Sequence, residues 1–407
     1  MMRALKKWGG FLAVAAAFIT LAPYAWANNA DTYISRGNAK GDRGQYQEAV
    51  ADYDQALQLQ PDNAHAYDHR GFAKFMLGQY QEAIADYDQA LQLRPDFADA
   101  TFYRGVAKFK LGQYQEAIAD QDQALQLRPD FADAYVVRGH AKFLLDQYQD
   151  AVADLDQALQ LQPDNAHAYV VRGHAKVCLG QNQEAIADYN QALRLQPDNV
   201  YAYAGRANAK SGLNQYQDAF ADLDYALQLQ PDYAEAYVVR GHAKFRRGQY
   251  QEAIAGYSQA LQLQPDYAGV YFFRGHAKAH FGQYQEAITD YDKAIQRQPD
   301  KASAYFLRGN AKAMLGQYQE AIVDYDQATQ LQPDKAHAYV RRGNAKAELG
   351  QYQEAIVDYD QATQLQPGNA RAYHGRVLAK LNIDKPRNIF SGYNQALQLQ
   401  PDFSDDG

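Results

Sequence analysis

The sequence predicts an all-α solenoid, and three observations carry that prediction. Eleven prolines (Pro61, Pro95, Pro129, Pro163, Pro197, Pro231, Pro265, Pro299, Pro333, Pro367 and Pro401) recur every 34 residues without a slip. A glycine falls midway between many of them, at Gly78, Gly112, Gly180, Gly248, Gly282, Gly316 and Gly350. Between these breaks lie two segments of about a dozen residues, rich in Ala, Leu, Gln and Glu and poor in strand formers. A fixed period of this length means one helix–turn–helix unit stacked many times, each copy burying its apolar face against its neighbours.

With Ala30 as the first position, eleven units occupy 30–63, 64–97, 98–131, 132–165, 166–199, 200–233, 234–267, 268–301, 302–335, 336–369 and 370–403, with a tail at 404–407. The last unit is degenerate, carrying Pro386 and Ile389 where its second helix should begin.

Residues 1–27 are different in kind. Arg3, Lys6 and Lys7 precede an apolar stretch from Phe11 to Leu21, and Ala25-Trp26-Ala27 forms a small-x-small cleavage signal. That order is expected of a secretory signal peptide, placing the chain in the periplasm or outside the cell and leaving it soluble after cleavage. An uncleaved anchor is the alternative, although the apolar run is short for a membrane span. Removing this segment takes away three cations and no acid from a chain already at −8. Acidity speaks against nucleic acid, whose phosphates need clustered Lys and Arg. Cys178 is the only cysteine, so no intramolecular disulfide framework is available and stability must come from packing between units.

Within a unit, Pro-Asp stops one helix and offers Asp as an N-cap to the next. The midway glycine suits a left-handed cap closing the first helix. At 100° per residue the first helix divides into two arcs. In the fourth unit one arc is Ala134, Tyr135, Arg138, Gly139, Ala141, Lys142 and Leu145; the other is Asp133, Val136, Val137, His140, Phe143 and Leu144. On the second helix Tyr148, Ala151, Val152, Leu155, Ala158 and Leu159 make a packing stripe.

An aromatic at position 4, Gly at 8, Ala at 20, an aromatic at 24, Ala at 27 and Pro at 32 appear together in the second unit as Tyr67, Gly71, Ala83, Tyr87, Ala90 and Pro95. This pattern resembles the tetratricopeptide repeat, and the resemblance covers nearly all of the chain after residue 27. It implies a right-handed superhelix of antiparallel helix pairs whose first helices line a concave groove. It also implies non-catalytic work, the holding of proteins or peptides in that groove. The chain departs from the family at two positions. Position 7 is Arg in all eleven units (Arg36 to Arg376) and position 11 is Lys in all eleven (Lys40 to Lys380), where the family commonly has a large apolar residue and an aromatic. Smaller departures are Thr101 at position 4, and Ala207 and Val377 at position 8.

Such a cationic ladder could serve an anionic polymer, but both positions lie on the packing arc. Asp at position 23, present in nine units, is placed to pair with the Arg inside each unit. The seventh and eleventh units have Gly256 and Gly392 instead, leaving Arg240 and Arg376 the best candidates to meet a ligand. The tyrosines at positions 4, 17 and 24 read as core fillers with the hydroxyl left near water.

Copies differ most along the predicted groove arc. There Phe72, Phe75, Phe102, Phe109, Val136, His140, Phe143, Val170, His174, Val238, His242, Phe245, Phe272 and His276 give way to the more polar Asn310 and Asn344. Apolar side chains with a central His/Asn line suit a protein or peptide segment, its backbone met by amides and imidazoles. A cell-envelope polysaccharide or other anionic polymer is the alternative ligand. His276 and His280 share a helix face but lack a third ligand at recognised spacing, so no metal site is expected. No phosphate loop, nucleophile elbow or cofactor fingerprint occurs, so neither an enzyme nor a cofactor is expected. The last packing stripe (Ile389, Phe390, Tyr393, Leu397) has no polar helix after it, so that end is expected to be frayed or covered by a partner or a second copy of the chain (self-association).

Overall fold

The computed structural model describes residues 29–383. The expected signal peptide and the second half of the eleventh unit lie outside the described residues, as do Gly392 and the expected self-association stripe. The described residues form 21 α-helices and no strand. They fall into two compact units, one ending at Leu179 and the other beginning at Gly180. None of these helices is long and apolar enough to cross a membrane.

Each unit is a run of antiparallel hairpins, numbered here as the sequence units. Hairpin 10 shows the plan: a first helix Ala336–Glu348, a tight turn, and a second helix Tyr352–Leu365. The turn is closed by Gly350 at φ 75°, with Gln351 N–H donating to the Lys346 carbonyl at 2.9 Å. A left-handed residue is required there. Hairpins 4 and 6 meet the requirement with Asp146 and Asn214, both at φ 60°, side chains that tolerate this region better than most.

The start of the first helix departs from expectation. The cap is the residue after Pro-Asp, not the Asp itself: Asn63, Asn165, Asn199 and Asn369 each accept from the backbone N–H three residues on, at 3.0–3.1 Å. Elsewhere that place holds Phe97, Phe131, Tyr233, Tyr267, Lys301 or Lys335, with no side-chain cap. The turn needs one more residue than a proline stop alone suggests, which leaves the Asp one place ahead of the cap.

The interior of a hairpin is alanine and tyrosine. Ala355, Tyr359 and Ala362 are buried against the first helix of hairpin 10. Gly343 lies beneath the Tyr359 ring so closely that a Cβ there would stand 2.9 Å from it. In hairpin 6 Ala207 takes the place of this glycine and shares a core cluster with Leu223. In most adjacent hairpins of a unit the first helices touch one another, while among the described residues consecutive second helices have no comparable contact. The first helices therefore line the inner side of the curvature.

Candidate functional site

The invariant cations are consumed by packing. In hairpin 10, Arg342 Nε and Nη2 donate to the Asp358 carboxylate at 2.5–3.1 Å, and Lys346 Nζ reaches its other oxygen at 2.9 Å. Arg342 Nη1 also donates to Asp326 of the preceding hairpin at 2.6 Å. The same double grip recurs at Arg70 (Asp86, Asp54), Arg104 (Asp120, Asp88), Arg138 (Asp154, Asp122) and Arg308 (Asp324, Asp292). Each arginine thus ties its hairpin internally and also to the one before it. Burial works against the Arg342 charge, but hydrogen bonds and attraction from Asp358 and Asp326 outweigh it and hold the guanidinium above its ordinary value. The inner arm matches expectation; the outer arm was missed, although Asp at position 25 repeats as regularly.

Neither arginine expected to be free is so. Arg240 pairs with Asp224 at 2.5 Å and Arg376 with Asp360 at 2.7 Å, each through that outer arm.

The predicted groove residues separate into three groups. Phe102, Val136, Val170 and Val238 are buried, between 3% and 8% exposed, and do not face solvent. Successive first helices stack so closely that position 5 lies under the next hairpin: Val136 shares a core cluster with Ala168 and Val171, and Phe102 with Ala134.

The second group forms a staircase. Phe109 stands 5.0 Å from the His140 ring, Phe143 6.1 Å from His174, and Phe245 5.0 Å from His276. Each Phe also rests on its own hairpin's Tyr, as Phe75 does on Tyr80 at 5.3 Å and Phe245 on Tyr250 at 5.3 Å. Phe72 packs edge-on to Tyr103 at 5.1 Å, and Phe272 to Tyr291 at 6.1 Å. These residues are half-buried. Burial holds His140, His174 and His276 down at about 4, so the staircase is uncharged at neutral pH.

The third group answers to the protein itself. Asn310 Oδ1 accepts from Tyr325 Oη at 2.9 Å and Asn344 Oδ1 from Tyr359 at 2.8 Å, while His242 Nδ1 and Tyr257 Oη share a bond of 2.9 Å. The tyrosines at position 24 are enclosed rather than left near water, and in hairpins 7, 9 and 10 the His/Asn line supplies the partner that a buried hydroxyl needs. Those at positions 4 and 17, such as Tyr67 and Tyr80, keep the partial exposure expected of them. Asn310, Asn344 and His242 of the groove line therefore also serve their own hairpin's tyrosine, through Oδ1 or Nδ1, and Asn344 stays exposed.

The second unit also holds an opening. A cavity of about 330 Å³ is lined by His276, His280, Tyr291, Phe306, Leu307, Asn310, Met314, His337, Arg341 and Arg371, among others. Tyr291 Oη lies there fully buried with no hydrogen-bond partner among the described residues. Neither Arg341 nor Arg371 has a carboxylate partner among the described residues. Both stand on the predicted groove arc, Arg341 in a column that holds Val137, Val171, Val239, Phe273 and Leu307 in other hairpins. That break in an apolar column was the signal that could have found them. His276 Nε2 and His280 Nε2 approach to 3.2 Å, but no group of three or more His, Cys, Asp or Glu gathers among the described residues.

A family model described as TPR repeat matches residues 37–78, 73–112, 107–146, 173–213, 241–280, 281–316, 309–350 and 343–381, and a second, described as tetratricopeptide repeat, matches 132–165. No curated protein matches the chain. Among solved structures, a tetratricopeptide repeat protein from Parabacteroides merdae is 20% identical with a TM-score of 0.50, covering 61% of this chain and 98% of that one. Yeast Tom70 is 17% identical, TM-score 0.43, covering 91% and 90%. YrrB, described as a TPR protein with an unusual peptide-binding site, is 22% identical, TM-score 0.40, covering 45% and 95%. At these identities the likeness concerns the fold.

Proposed function

Because the chain belongs to the tetratricopeptide repeat family, we propose that it is a non-catalytic scaffold that holds a protein or peptide segment against its first helices. The observation that carries this reading is the cavity of the second unit, where apolar Phe306, Leu307 and Met314 adjoin Arg341 and Arg371. That combination suits an extended segment carrying an aliphatic or aromatic side chain next to a carboxylate. The aromatic staircase of the first unit offers apolar area without charge. The proposal includes export, resting on the order Arg3, Lys6, Lys7, apolar stretch and Ala25-Trp26-Ala27.

A polysaccharide or polyanion is the weaker reading, because the Arg and Lys ladder that would serve it is tied to aspartates. Fluorescence titration with a panel of short peptides tests the choice. Peptides pairing an acidic with an apolar residue should bind, and Arg341→Ala with Arg371→Ala should weaken them at least tenfold with helicity unchanged by circular dichroism. Equal binding of the double variant, or equal binding of basic peptides, would sink the site assignment.

A further inference from the structure

Hairpin 7 lacks the carboxylate that its counterparts hold between two cations. In hairpins 2, 3, 4, 6, 8, 9 and 10 the position 7 Arg and position 11 Lys close on one buried Asp, with Arg Nη2 at 2.5–2.6 Å and Lys Nζ at 2.7–3.0 Å. Hairpin 7 keeps both cations, Arg240 and Lys244, but has Gly256 in place of the Asp. Lys244 makes no ion pair among the described residues, and its ammonium lies 4.7 Å from the centre of the Phe220 ring. Arg240 keeps only the outer arm to Asp224.

The same hairpin also lacks the outer carboxylate that it would offer to the next one. Ser258 stands there, and Arg274 Nη1 reaches its hydroxyl at 3.2 Å. One hairpin is therefore short of two negative charges around cations that elsewhere hold theirs within hydrogen-bond range. The Arg240 side chain is more accessible than its counterparts from Arg70 to Arg376, 28% exposed against 15–20%.

We propose that hairpin 7 binds a small free monocarboxylate of formate or acetate size beside Gly256, held by Arg240 and Lys244 as Asp358 is held by Arg342 and Lys346. A partly desolvated ammonium with only a ring for company gains a charge-assisted bond, and the guanidinium regains the acceptor for its unused N–H groups. The site is distinct from the cavity proposed for peptides, and an anion bound there locks hairpin 7 by mass action.

Amide hydrogen exchange of the full chain, followed at 234–267 with 336–369 as the internal reference, tests it. At constant ionic strength, formate or acetate replacing chloride should slow exchange in hairpin 7 several-fold and saturably, leaving hairpin 10 unchanged. Gly256→Asp should be slow in chloride already and lose the response. Its new Cβ meets the Tyr237 carbonyl at 3.1 Å, so Gly256→Ala controls for the steric cost alone. Lys244→Met should lose the response without the added acid. Equal exchange in chloride and formate, or an undiminished response in Gly256→Asp, would overturn the proposal. Protection by an aspartyl peptide but by neither free anion would overturn it too, placing the carboxylate on a partner.

Discussion

Hairpins 7 and 10 are built on one plan and held by different forces. In hairpin 10, Arg342 and Lys346 converge on Asp358, which is 2% exposed, and Arg342 reaches back to Asp326. Hairpin 7 has lost the central carboxylate yet keeps both helices, its left-handed turn at Gly248 and its buried Ala253, Tyr257, Ala260 and Leu261. Packing of small residues around an enclosed ring is therefore enough to form a hairpin. The ionic ladder does something else: it ties each hairpin to the one before, fixing which residues meet across the joint. Replacing such buried pairs by apolar packing is often neutral, whereas removing one partner is costly.

The comparison can be broken hardest at Asp358. Asp358→Asn leaves Arg342 and Lys346 half-buried around a neutral amide and should cost about 3–5 kcal/mol. Amide exchange should show the loss concentrated in hairpins 9 and 10, and a loss under about 1 kcal/mol would mean that the ladder is ornamental to stability.

Asp68 sharpens it from the opposite side, as a charge added where none is wanted. It occupies position 5, where other hairpins place Phe102, Val136 or Val238, and its Oδ1 has no partner. Burial, aided by Asp99 and opposed by Arg94, pushes its carboxyl up to about 7. A folded pKa above the unfolded one means that stability is intact below about pH 4 and lost as pH rises through 7. Asp68→Asn should therefore stabilise hairpin 2 by on the order of 2–4 kcal/mol at pH 8 and by almost nothing at pH 4. Denaturant melts at the two pH values decide this, and equal gains at both would remove the burial argument.

The smallest expected effect separates rings from hydroxyls. Tyr359→Phe keeps the ring over Gly343 but orphans Asn344, and should cost about 1 kcal/mol. Tyr87→Phe removes a hydroxyl that has no partner and should cost nothing or stabilise slightly. Thermal melts of the pair compare them directly, and equal costs would show that the Asn344 bond contributes nothing.

The period, the hairpin plan and the Arg–Asp bond within a hairpin were legible in the sequence because each depends on spacing inside one repeat. What escaped depends on how repeats meet. The bond from Arg342 to Asp326 spans two hairpins, and the burial of Val136 is decided by Ala168 and Val171 of the next one. The Tyr359–Asn344 bond needs the crossing of two helices, which a helical wheel of either alone does not contain. Arg341 and Arg371 were visible as letters but weighed little until the cavity placed them together.

The backward reach of each arginine has a genealogical consequence. Since every link joins the same two positions of adjacent copies, a whole 34-residue block can be lost or duplicated and the flanking ends still find equivalent mates. The number of copies is then a quantity that recombination can change without penalty at the seams, while the faces turned inward diversify on their own.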